Sequence, residues 1–211
     1  MKSKLGQQWS ALAGVLFSVI FLIGFLLFAD TPNFDAGGEE VISYYNDDGK
    51  IYASLFMLWA AAIFFMFFAG GLRSRLQAAN ANWLVPVAFG GMIMVVVGIG
   101  LFMSGQVALL DAAKLGEPQV AQALNIIDND NFPVFLIGIA ITVLATAWHA
   151  LSTHSLPMWL GWVTLLLGII AIIPPIAWIN LLLFPIWVIV VSILMFLGSR
   201  REEVVETNTT L

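Results

Sequence analysis

Residues 83–110 read WLVPVAFGGMIMVVVGIGLFMSGQVALL, 28 residues without one Asp, Glu, Lys or Arg. Wound as an α-helix at about 1.5 Å per residue, such a run is about 42 Å long and outreaches a hydrocarbon core of roughly 30 Å. A helix that is apolar around its whole circumference is built to be surrounded by apolar matter on every side. Asn82 stands where an N-cap belongs, and Pro86 falls in the first turn, where a missing N–H costs little.

The same pattern repeats on both sides of this run. Apolar stretches lie at about 9–29, 51–70, 132–150, 157–173 and 176–197, which with 83–110 make six candidate spans. The chain is 61% hydrophobic and 10% charged, against about half and about a quarter in a soluble domain. Hydrocarbon is therefore the expected solvent. The first run, Trp9 to Ala29, is longer than the roughly 7–15 residues of a secretory signal core, and the bulky Leu27 sits three before a cut at Ala29. It is read as a span. Pro157 opens the fifth run and Pro174–Pro175 closes it, while residues 198–211 form a polar, frayed tail. The expected fold is all-α: a polytopic membrane protein, a single six-transmembrane-helix bundle over 1–211.

Charge sets the expected orientation. Lys2, Lys4, Arg73, Arg75, Arg200 and Arg201 fall on one side, and Lys50 and Lys114 on the other. By the positive-inside rule the first side is cytoplasmic, so both termini are inside. The two outer loops carry ten of the 13 carboxylates. Each loop holds a candidate surface helix, one over Glu39–Tyr45 and one over Pro118–Ile127, where Val120, Leu124 and Ile127 share a face. Asp128, Asn129, Asp130 and Asn131 look like the start of a calcium loop, but the Gly and the closing Glu are missing. A solvated loop capping the fourth helix is expected there, and no metal.

Function is read mainly by exclusion. Cysteine is absent, which removes disulfides, thiolate metal sites and thiol nucleophiles. No span contains an acidic or strongly basic residue, so a retinal Schiff base, a carboxylate proton relay and an arginine voltage sensor have no material. His149 and His154 are the only histidines, on one helix end, and cannot clamp a haem between two helices. No cofactor, nucleic-acid partner or enzymatic activity is expected.

The candidate residues are weakly polar or aromatic. Gly138, Thr142, Ala145 and His149 follow one another on one face of the fourth span with Thr146 beside them, ending in an imidazole that could meet a lipid headgroup, a ligand or water. Trp59 and Trp187 fall near the middle of the second and sixth spans, and with Pro185 nearby they are candidates to line an apolar pocket. Asn180 sits near any pathway along the sixth span. Ser10, Gly14 and Ser18, and Gly91, Gly98 and Gly105, mark lines of close helix approach, either inside the bundle or at a homodimer seam.

The stretches EEVISYYNDDGKIYASLF, GGLRSRLQ, LPMWLGWVTLLLGIIAIIPP and LLLFPIWVIVVS, at 39–56, 70–77, 156–175 and 181–192, resemble a family of six-helix membrane proteins of unknown function from actinobacteria and related bacteria. The resemblance covers nearly the whole chain. It implies a bacterial inner-membrane location and the same six-span plan. The leading expectation is a non-catalytic binder of lipid or a hydrophobic ligand, or an accessory subunit of a membrane assembly, with membrane lipids and further subunits as partners. The alternatives are a small transporter or channel for a neutral solute, and a lipid-modifying enzyme acting at the inner interface through His149 or His154.

Overall fold

The protein is seen in a computed structural model that describes the backbone of residues 2–28 and 30–209, and the side chains of 6–28, 30–47 and 49–198. It is 85% helical, with no strand among the described residues. The elements are α1 (Lys2–Leu26), α2 (Gly38–Tyr45), α3 (Asp48–Ala79), α4 (Leu84–Leu115), α5 (Pro118–Asn129), α6 (Pro133–Thr153), α7 (Met158–Ile172), α8 (Pro174–Ala177) and α9 (Asn180–Thr209).

Among the described residues, five helical stretches are long and apolar enough to cross a membrane, in α1, α3, α4, the stretch Pro118–Thr153 that contains α6, and α9. In four of the five, 44% of the most apolar window is buried within the protein. The larger part of each of these four windows is thus left to an apolar surrounding, which marks a membrane protein. The helices overrun the apolar runs of the sequence. α3 and α4 have 32 residues each, about 48 Å, so Arg73, Arg75, Asp111 and Lys114 ride in their last two turns. The expected cap is present, with the Leu84 N–H donating to Asn82 Oδ1 at 3.0 Å.

The late segment departs from expectation. α7 has 15 residues, about 22 Å, and the chain then makes the single turn α8 before α9 begins at Asn180 rather than near Ile176. Pro174 and Pro175 cannot donate to the carbonyls of α7, so its ladder stops at Ile172. The tail expected to fray continues as helix to Thr209, and its side chains from 199 onward lie outside the described ones.

Packing follows the small residues. α4 and α6 meet most intimately, because a Cβ on Gly91 would lie 2.6 Å from the Thr142 backbone N, and one on Gly138 2.6 Å from that of Val95. Only glycine lets the two backbones come that close. α1 packs against α3 on one side and α9 on the other, α7 packs on α6, and the α7–α9 contact is thin. The middle is filled by rings: Phe17 meets Phe65 at 4.6 Å between centroids, Phe65 meets Phe184 at 5.8 Å, and Phe184 stacks on Trp187 at 5.6 Å. Both surface helices form where the sequence indicates, but α5 turns Ala121, Asn125 and Asp128 inward and leaves Val120 and Ile127 of the expected apolar face exposed. α2 and α5 lie together over the far end of α4, with Gly38 directly against Pro118.

Candidate functional site

Two apolar clefts flank the N-terminal half of α1. One cleft, about 700 Å³, lies between α1 and α3 and is lined by Gly6, Ala13 and Leu16 against Phe64, Phe67 and Gly70. The other, about 550 Å³, lies between α1 and α9, with Ala11 and Val15 facing Ile193 and Phe196. Trp9 and Leu12 line both and form the ridge between them. Both volumes fall in the range of small-molecule sites, roughly 300–1,000 Å³.

Small residues create this relief. At Gly71 a Cβ would collide with the Ser10 side chain, so α1 settles onto α3 there. Gly14 is similarly pressed against Ser192 and Phe68, and Ser192 Oγ is buried without a hydrogen-bond partner. At Gly6 and Gly70, by contrast, a Cβ would meet nothing within 4 Å, and the missing side chains leave open space.

The residues singled out by sequence do not form one site. Trp59 is 64% exposed on the outward face of α3, whereas Trp187 is 2% exposed and donates from Nε1 to Thr164 Oγ1 at 2.8 Å, tying α9 to α7. The central indole pair therefore does not exist. Both runs are apolar all round, so nothing in them fixes which face turns inward. Thr142 donates to its own helix, to Gly138 O at 2.8 Å, and Thr146 Oγ1 is buried with no partner. Asn180 is buried at the start of α9, its Nδ2 donating to Ala177 O at 3.2 Å and its Oδ1 unpartnered.

His149 does not reach headgroups or water. Its ring is fully buried, Nε2 lies 2.8 Å from Asn80 O, and Nδ1 lies 3.2 Å from both Ser155 Oγ and Thr153 Oγ1. A carbonyl only accepts, so the proton sits on Nε2 and Nδ1 accepts from a hydroxyl. The Ser155–His149 spacing is that of a nucleophile and its base. Here, however, the far nitrogen is spent on the main chain that ends α3, and the ring links helices.

A second buried polar cluster, unforeseen from sequence, lies under the cap formed by α2 and α5. Tyr45 Oη donates to Gln106 Oε1 at 2.8 Å, and Gln106 Nε2 donates to Asp128 Oδ2 at 2.6 Å. The other oxygen, Asp128 Oδ1, lies against Gly105 and has no partner. Burial pushes the Asp128 carboxyl up to about 7, with the Gln106 hydrogen bond opposing it, and burial first and the Asp128 charge second raise the Tyr45 phenol. Asp128 is thus docked inside the protein rather than solvated in a capping loop, and no side chain caps α6. The sequence held one signal, because Gln106 is the only amide in the run 83–110. At the cap's rim, the hydrogen bond from Lys50 holds the Asp30 carboxyl below its ordinary range.

The centre of the bundle is closed. The void bounded by Phe21, Phe25, Leu58, Phe102 and Phe135 measures about 20 Å³, little more than the space one water needs, and its walls offer no polar surface. No group of His, Cys, Asp or Glu among the described residues could hold a metal ion. No protein-family model, curated protein or solved structure matches this chain.

Proposed function

We propose that this is a non-catalytic protein of the bacterial inner membrane that binds the acyl chain of a lipid or another hydrophobic ligand beside α1, alone or as an accessory subunit of a larger assembly. The observation that carries this reading is the pair of apolar clefts on either side of one helix, each of ligand size and opening outward where lipid would lie. In the proposed topology α7 with the α8 turn serves as the sixth span, and both termini are cytoplasmic. The basic residues at the α1, α3 and α9 ends and the acidic loops opposite favour that orientation.

A channel or carrier for a neutral solute finds less support. Such a protein needs a wet path to mid-membrane, and the ring-filled middle with its void of about 20 Å³ offers none in this conformation. The test is photo-cross-linking in native membranes from a photoreactive residue at Leu12, on the ridge, with Ile63, on an exposed apolar face, as reference. Lipid adducts are expected to be concentrated at Leu12. Equal labelling at both positions, or solute flux in proteoliposomes that Trp187→Ala abolishes, would sink the reading.

A further inference from the structure

We infer that α5 is a two-position element: it sits polar face inward while the Asp128 carboxyl holds its proton, and turns apolar face inward when that proton leaves. The seated face is the less apolar of two that differ by one residue. Ala121, Asn125 and Asp128 are buried, whereas Val120 is exposed, Ile127 is 62% exposed and Leu124 is half-buried. The two triplets have the same spacing, four residues and then three. One residue of an α-helix is a rotation of about 100°. A turn of that size about the axis of α5 therefore brings Val120, Leu124 and Ile127 to the places of Ala121, Asn125 and Asp128. The observed position leaves branched apolar side chains uncovered and a carboxyl buried, and the turned one reverses both.

Both ends of α5 permit the turn. Gly116, just before it, is left-handed at φ 69°, and a Cβ there would meet nothing within 4 Å. Just after it, Pro133 has no N–H to give the Asn129 carbonyl, so α6 does not continue the α5 ladder. The bonds that hold the observed position are polar and exchangeable. Gln106 Nε2 donates to Asp128 Oδ2 at 2.6 Å, Asn125 Nδ2 to Asn33 O at 2.7 Å, and Asn129 Nδ2 to Pro32 O at 3.4 Å. A protonated carboxyl fits this seat and an ionised one does not. A carboxylate has about four acceptor sites, yet one donor reaches it here and Oδ1 is buried with no partner. α4 faces it with Gln106 and Gly105, and α2 with the Tyr45 phenol. Glu39 and Glu40 of α2, Asp111 of α4, Asp35 of the loop before α2 and Asp130 are exposed, while Lys50 is bonded to Asp30 and Lys114 to Tyr52. Among the described residues, then, no cation faces Asp128. Burial holds the carboxyl near 7, so the seat loosens as pH rises through neutral.

The chain has no cysteine, so a single introduced thiol reports one face of α5. Ile127→Cys, Ala121→Cys and, as an exposed reference on α2, Ser43→Cys are each labelled with a water-soluble maleimide in the full-length protein in nanodiscs. Dividing each rate by that of Ser43→Cys removes the effect of pH on the thiol itself. From about pH 5.5 to about pH 8.5 the rate at Ile127→Cys should fall and that at Ala121→Cys should rise, each by about tenfold, the swing of a two-state population from about a tenth to about nine-tenths. With Asp128→Asn present, which keeps an acceptor for Gln106 and carries no charge, both rates should stay at their acidic values. Rates that do not move with pH would overturn the inference. Both rates rising together at high pH would overturn it as well, since that is release or unfolding of α5 rather than rotation. The same swing beside Asp128→Asn would overturn Asp128 as the trigger. If Ala121→Cys fails to fold, the fall at Ile127→Cys and its absence beside Asp128→Asn still decide.

Discussion

Two buried polar clusters hold opposite ends of this bundle, and they are wired differently. Under the cap, Tyr45, Gln106 and Asp128 form a chain in series, each group depending on the next, with one carboxylate oxygen left over. At the other end, His149 is a hub, one nitrogen on the Asn80 carbonyl and the other within 3.2 Å of two hydroxyls. A series passes damage along, because removing its middle leaves two buried groups unsatisfied. A hub absorbs damage, because a second donor stands ready. The cap is therefore the more fragile of the two.

The sharpest way to break this contrast is Gln106→Leu. It strands the Tyr45 hydroxyl and the Asp128 carboxyl together, and at about 1–3 kcal/mol for each unsatisfied buried group the expected loss is about 4 kcal/mol. Reversible unfolding in mixed micelles measures it, with amide exchange in α2 and α5 rising first. A loss under about 1 kcal/mol would mean that the series does not hold the cap.

Asp128→Asn comes next, and its sign depends on pH. The carboxyl lies near 7 in the folded protein against an ordinary 3.8, so the folded state keeps a proton that the unfolded chain releases. The stability this contributes is fully present below about 3.8, and it is lost as pH rises through 7. The span corresponds to at most about 4 kcal/mol, and water reaching the cap's edge should reduce it to about 2–3 kcal/mol. Asparagine keeps an acceptor for Gln106 and carries no charge. The variant should therefore unfold like wild type at pH 4 and resist unfolding better at pH 8. Parallel pH profiles for the two proteins would show that Asp128 is not the group that titrates.

How these clusters escaped or yielded to sequence reading has a physical explanation. The long helices were legible because apolar runs of twenty residues or more have one good solvent, and α2 and α5 because their apolar residues recur at helical spacing. Facing was not legible. A span apolar on every side gives no stripe, so Trp59 and Trp187 looked alike although one meets the surroundings and the other the core. The lines Gly91–Gly98 and Ser10–Gly14–Ser18 did mark close approach, and they mark it inside the bundle, against α6, α3 and α9. Polar residues misled in the opposite direction. Asp128 looked destined for water and His149 for a headgroup, a ligand or water, yet each is buried by a partner distant in sequence, at Gln106 and Asn80, which no local pattern announces.

The smallest predicted effect tests the hub. Ser155→Ala removes one hydroxyl beside Nδ1, but Thr153 Oγ1 stands at the same 3.2 Å, so a turn of its hydroxyl restores the bond. The exchange is not free, since Thr153 also donates to its own helix at His149 O, 2.7 Å away, and that bond is given up. A loss of about 0.5 kcal/mol is expected, the low end for one hydrogen bond. With Thr153→Val present, Ser155→Ala removes the last hydroxyl beside Nδ1 and should then cost about 1–2 kcal/mol more, a coupling that a double-mutant cycle reads directly. Strict additivity would mean that only one hydroxyl ever serves the ring. The inner end would then be a series like the outer one, and the difference between them would lie in charge alone.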